Sequence, residues 1–135
     1  MNELTIKREI ESLELIVKLI EKFVIQHKLD NQTSYLLNLS AEELFTNMVK
    51  YSREGTGDIN IILSFDKNKV MMKFKDHGVD EFDITKAREP DFDASLEDKR
   101  IGGLGIHLVK EMMDKVEYEY KDRTSIITVF KNVEK

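Results

Sequence analysis

Glu43 and Asn47 stand four residues apart in the run Ala41, Glu42, Glu43, Leu44, Phe45, Thr46, Asn47. Residues at that spacing share one face of a helix, so the pair presents a carboxylate and an amide oxygen to the same point. That suits a hard cation with a proton acceptor beside it. The same pair also arises simply as the polar flank of an amphipathic helix. Asp76 is a second polar residue where an apolar one is expected. In the run from Val70 to Asp76, Val70, Met72 and Phe74 alternate with Met71, Lys73 and Lys75, so even positions face a core and Asp76 inherits that face. An ionised carboxylate there requires a hydrogen-bonding partner, for which an amino group on a purine is suitable. Gly78, two residues on, allows close approach to the backbone. The alternative is that Asp76 ends the strand and opens a turn with His77 and Gly78. Third, Gly102, Gly103 and Gly105 lead into Leu104 to Met113. There Leu104, Leu108, Val109, Met112 and Met113 have helical spacing. A glycine-rich start to a helix exposes N–H groups at the positive end of the dipole, a combination that binds phosphate, although a flexible loop reads the same way. Neither a P-loop nor a dinucleotide-binding fingerprint is present.

The elements that must position these residues follow from periodicity. Leu37, Ala41, Leu44, Phe45, Met48 and Val49 form an apolar stripe, and Ser40, Glu43, Asn47 and Lys50 form the stripe beside it, at the border of core and solvent. Asp30 and Asn31 are candidate N-caps for this helix. An earlier helix is expected over Glu9–His27, with Ile10, Leu13, Ile16, Val17, Ile20, Phe23 and Val24 on one face and Lys or Glu on the other. A strand over Asp58–Phe65 pairs with Val70–Lys75 through a turn at Asp66–Lys69, and a second hairpin joins Lys115–Lys121 to Thr124–Lys131 around Asp122 and Arg123. The expected fold is therefore α/β of the α+β kind, a two-layer sandwich in which helices cover one face of a mixed, mostly antiparallel sheet. Val79–Ile101 has many acidic residues, the lone Pro90 and little period, which suits a lid between two ligand-binding segments. Arg100 adjoins the glycines and is suited to phosphate; surface charge is the alternative for it, and the preferred assignment for Arg88 and Lys99. His77 and His107 are assigned to packing or surface, since neither has the partner spacing of a metal site.

In this order, the three segments resemble the GHKL ATPase superfamily, and most closely its anti-sigma-factor serine kinases, over roughly Leu37–Val133. The resemblance implies an ATP-binding Bergerat-type fold. It makes Glu43 the catalytic base, Asn47 the Mg²⁺ ligand, and Asp76 with Gly78 the first glycine box, whose Asp reads the adenine amino group. Gly102, Gly103, Leu104 and Gly105 become the second box, which holds the phosphates. The run from Asn47 to Ser52 also looks like the corresponding helix of sensor histidine kinases, in which the Lys, here Lys50, reaches phosphate. Two positions depart from the pattern. Asp80 replaces a second Gly often found in the first box, and a Thr-rich stretch of the last strand reads Thr124 to Thr128 here, with Ser125 the candidate near the adenine.

The 135 residues, 41% hydrophobic and 35% charged, suffice for one domain over 1–135 with a real core but not comfortably two. Apolar runs are too short to span a bilayer, no signal peptide is recognisable at the start, and without cysteine there are no disulfides or thiolate metal sites. A cytoplasmic location is expected. A formal net charge of −5 argues against direct nucleic-acid binding, and no membrane contact is expected. The resemblance then implies a serine/threonine kinase using ATP and Mg²⁺ that phosphorylates a STAS-type antagonist protein and sequesters a sigma factor, with a homodimer left open. The alternatives are a non-catalytic ATP-binding partner switch and an isolated histidine-kinase-type catalytic domain.

Overall fold

The structure, a computed structural model, describes residues 2–51, 57–79 and 103–133, of which Tyr51 and residues 103–106 are described by their backbone alone. Among the described residues, three α-helices cover one face of a five-stranded sheet. The strands are β1 (Asn2–Ile6), β2 (Ile59–Asp66), β3 (Lys69–His77), β4 (Lys115–Lys121) and β5 (Thr124–Asn132). The helices are α1 (Leu13–His27), α2 (Asn31–Tyr51) and α3 (Gly103–Met112). The sheet order is β1-β2-β3-β5-β4, and every pairing among the described residues is antiparallel, so the parallel component of the expected mixed sheet is not among them.

Both hairpins form as the turn residues dictate. Lys67 and Asn68 between β2 and β3, and Asp122 and Arg123 between β4 and β5, all have positive φ, the pattern of a two-residue turn whose twist matches the strands. Register puts Ile59, Ile61, Leu63 and Phe65 opposite Asp76, Phe74, Met72 and Val70. Even positions of β3 are buried, as expected, and odd ones are not. On α2, Leu37, Ala41, Leu44, Phe45 and Met48 are buried and Val49 packs against them. Each fully buried side chain of this kind contributes roughly 1.5–3 kcal/mol, enough to fix the rotation of α2 and hence the direction of its polar stripe.

The amino-terminal end brings one correction and one addition. The segment before α1 is not continuous helix from Glu9: Ile10–Ser12 form a 3₁₀ turn and the α-helix starts at Leu13. Ile16, Ile20 and Phe23 are buried, but Ile10 and Val17 are 49% and 45% exposed, because the covered stripe of α1 is narrower than the run of apolar residues. The addition is β1, an edge strand outside the expected elements. It pairs with β2 around Leu4 and Ile61, and Asn60 Nδ2 pins it by donating to Glu3 Oε2 and Thr5 Oγ1, each at 3.0 Å.

The helix ends are closed locally. Asp30 caps α2, its Oδ1 accepting from Thr33 N at 2.7 Å. Lys28, in the left-handed region at φ 53°, ends α1, and Leu29 N donates back to Val24 O, so the chain reverses with Leu29 buried. At the other end of the fold, Lys131 Nζ donates to Met112 O at 3.1 Å, placing a cation at the carboxyl terminus of α3.

Candidate functional site

The polar stripe of α2 grades from core to solvent. Ser40 is fully buried, Asn47 is 2% exposed, Glu43 is half-buried and Lys50 is exposed. Asn47 Nδ2 has no hydrogen-bond partner among the described residues, an expensive state for a buried amide in the absence of a ligand or water. One turn earlier, Glu43 has its pKa raised, first by burial and then by the neighbouring charge of Glu42, against an opposing pull from Lys50. This helix face thus carries a carboxylate pushed towards a proton-accepting range and an amide with unused capacity.

Asp76 lies at the inward end of β3, 2% exposed, between Ile59 of β2 and Ser125 of β5 in register. Ser125 is buried as well. The partner that a buried carboxylate requires is Arg8, just beyond β1: its Nη2 stands 2.5 Å from Asp76 Oδ1. The contact pairs the two charges, while Oδ1 has no hydrogen-bond partner among the described residues. The same Nη2 donates to His77 O at 3.1 Å and to Gly57 O at 3.2 Å. Gly57 is needed there, since a Cβ on it would lie 2.7 Å from His77 O.

Beyond Asp76 the chain turns at Gly78, whose φ of 71° is left-handed and favours glycine. The β4–β5 hairpin holds this turn: Arg123 Nη2 donates to Gly78 O at 3.3 Å, Val79 N to Arg123 O at 3.0 Å and Tyr120 Oη to Val79 O at 2.8 Å. His77 Nδ1 lies 3.2 Å from Thr124 Oγ1, and His107 is one turn from Glu111 on α3.

The helix after the glycine cluster starts at Gly103, one residue earlier than the spacing of its apolar side chains suggested, so Gly103 and Gly105 supply backbone N–H groups to its first turn. Val109 is buried beneath it, whereas Leu108 is 41% exposed. Leu104 lies in the same first turn. Helix α2 packs against both α1 and α3 and touches β3. Arg100, Gly102 and the expected lid lie outside the described residues. A shallow depression on the helix-free face of the sheet, lined by residues including Lys73, Glu117 and Thr128, contains none of these groups.

Arg8 and Gly57 were not expected as site residues. Arg8 belongs to no periodic segment, and its partner is far away in sequence. The usable signal was the inward-facing Asp76 itself, which calls for a buried cation, a role to which Arg is better suited than Lys.

A helix face carrying Glu43 and Asn47, a buried Asp before a left-handed Gly, and a glycine-led helix on one face of an antiparallel sheet define a nucleotide-binding domain of the GHKL kind. Residues 6–131 match the model of the histidine kinase-like ATPase domain, and the chain belongs to that family. The chain is 29% identical over 97 residues to the serine-protein kinase RsbW of Listeria monocytogenes, covering 67% of this chain and 61% of that protein. It is 30% identical over 104 residues to the RsbW of Staphylococcus aureus, covering 72% of this chain and 64% of that one. The chain thus spans less than two thirds of the length of these curated relatives. In fold it is similar to the histidine kinase AdeS of Acinetobacter baumannii, with a TM-score of 0.53 at 17% identity over 100% of this chain and 69% of that one. Among the described residues, no helix is long and apolar enough to cross a membrane.

Proposed function

We propose that this chain is an ATP-dependent protein serine/threonine kinase that transfers the γ-phosphoryl group to a hydroxyl of a partner protein. Its partner is a STAS-type antagonist, and it holds a sigma factor inactive when that antagonist is absent. The observation that carries this reading is the pairing on α2 of a half-buried Glu43, its pKa raised, with a buried Asn47 whose amide lacks a partner among the described residues. Similarity to kinases named for serine phosphorylation supports the choice of hydroxyl.

The residues fit Mg²⁺. Asn47 offers an amide oxygen to the metal, and its unpartnered N–H suits a phosphate oxygen. When bound, Mg²⁺ supplies charge neutralisation at the phosphates. Asp76 accepts from the adenine amino group, with Ser125 beside it. Backbone N–H groups of Gly102, Gly103, Leu104 and Gly105 orient the phosphates, with Arg100 and Lys50 adding positive charge. Glu43 takes the proton of the attacking hydroxyl, a role favoured by a pKa raised towards neutrality. Positioning of this kind supplies most of the acceleration in phosphoryl transfer.

The test is single-turnover transfer from labelled ATP to antagonists encoded in the same genome, alongside calorimetric ATP binding. Glu43→Gln is expected to retain ATP binding while transfer slows by about 10²–10⁴-fold. A wild type that binds ATP and partner yet transfers nothing would leave a binding-only switch as the better account.

A further inference from the structure

Arg8 is coupled to Asp76 in a way that ordinary surface pairing does not explain. Its side chain is 8% exposed and that of Asp76 2%, so neither charge is solvated, and each would be costly to bury alone. A single Arg8 nitrogen serves three acceptors: Asp76 Oδ1, His77 O and Gly57 O. These acceptors come from the end of β3 and the approach to β2, while Arg8 itself follows β1, so one guanidinium ties together the ends of three strands. The pair compensates charge without filling the hydrogen-bonding capacity of Asp76, because Oδ1 has no hydrogen-bond partner among the described residues. Arg8 Nε and Nη1 are likewise buried without a hydrogen-bond partner there, so the guanidinium is held by Nη2 contacts alone.

We infer that Arg8 is a positioning residue for base recognition: it holds Asp76 aimed so that the carboxylate can accept from the amino group of the purine. This rests on the reading of Asp76 as the adenine contact. Arg8 itself does not touch the nucleotide. Discrimination between purines carrying and lacking a 6-amino group therefore depends on a residue outside the nucleotide-binding segments. The length of Arg matters for this role, since all three contacts are made by Nη2, one bond further from the backbone than the ammonium of a Lys, which falls short of that point.

The experiment measures affinity for ATP and for purine riboside triphosphate, which lacks the 6-amino group, in wild type, Arg8→Gln, Arg8→Lys and Asp76→Asn, with melting temperature as the control for folding. Wild type is expected to prefer ATP by about tenfold or more, the scale of a lost hydrogen bond to a charged group. Arg8→Gln is expected to bring that ratio to within about threefold of unity. Arg8→Lys, which keeps the positive charge and is the variant to rely on should Arg8→Gln not fold, is expected to lower the ratio at least threefold. Adding Arg8→Gln to Asp76→Asn should leave the ratio of the single Asp76→Asn variant unchanged. A purely structural Arg8 would weaken both nucleotides equally and keep the ratio, so folded Arg8 variants with the wild-type ratio would overturn the inference alone. A wild type with no preference would overturn the adenine reading of Asp76 and the inference with it.

Discussion

Glu43 sits where its charge is disfavoured, and that has consequences for both stability and rate. Burial and Glu42 raise its pKa against the pull of Lys50, so the folded protein prefers the protonated side chain more than the unfolded chain does. For a raised carboxylate, the stabilising contribution is complete below the unfolded-state pKa and is lost as pH rises through the folded-state value. Replacing Glu43 with neutral Gln is thus expected to raise the melting temperature slightly at pH 8, on the order of 1 °C, and to make no difference near pH 4; a lower melting temperature at pH 8 would contradict this. Transfer by the wild type should rise with pH through the same titration, a dependence absent from the residual rate of Glu43→Gln. Asn47 is different because it is almost wholly buried. Asn47→Ala is expected to abolish most of the Mg²⁺-dependent part of ATP stabilisation, and an unchanged Mg²⁺ dependence would remove Asn47 from the metal site. Both positions could be picked out in the sequence because helical spacing is local information. Arg8 could not, because its significance lies in residues 49 and 69 positions away.

At the scale of elements, the parts that position the site are held by short-range devices with separable effects. Asp30, at the start of α2, has its pKa lowered by Thr33, first through the side chain and then through the backbone N–H. A lowered carboxylate stabilises above its unfolded-state pKa and loses that contribution as pH falls through the folded-state value. Asp30→Ala should therefore lower the melting temperature at pH 7, with the gap to wild type closing on acidification below about pH 4. A constant gap across that range would mean the cap acts through something other than its charge. Gly78→Ala forces a side chain into the left-handed region, at roughly 1–2 kcal/mol, and moves the segment that follows Asp76, so it should reduce both stability and ATP affinity. The stripe of α2, the alternation of β3 and the two hairpins were legible because each is written in neighbouring residues. Strand β1 was not, since its pairing with β2 joins Leu4 to Ile61 and only Ile6 of its five residues is buried. Val17 is exposed for a related reason: the period of α1 shows which residues are apolar, but how wide a stripe is covered depends on α2 and the sheet.

For the whole molecule, the nucleotide is expected to act as a folding ligand, because the groups assigned to it come from segments distant in sequence: Glu43 and Asn47 on α2, Asp76 on β3, the first turn of α3, and Ser125 on β5. No local piece of the chain assembles that set, so affinity belongs to the folded state. A ligand that binds only the folded state at 100 times its Kd adds about 2.7 kcal/mol of stability. For a chain of this size that is a rise in melting temperature on the order of 10 °C. ATP with Mg²⁺ is expected to produce it, ATP with a chelator a smaller one, and GTP less than ATP at equal concentration. Scanning calorimetry over a titration of each nucleotide checks the magnitude and the logarithmic dependence together. A shift that saturates well below this value would mean that the unfolded chain binds nucleotide too, or that the segments do not form one site. An equal response to GTP and ATP would take the purine contact away from Asp76 while leaving the phosphate-binding role of the glycines standing.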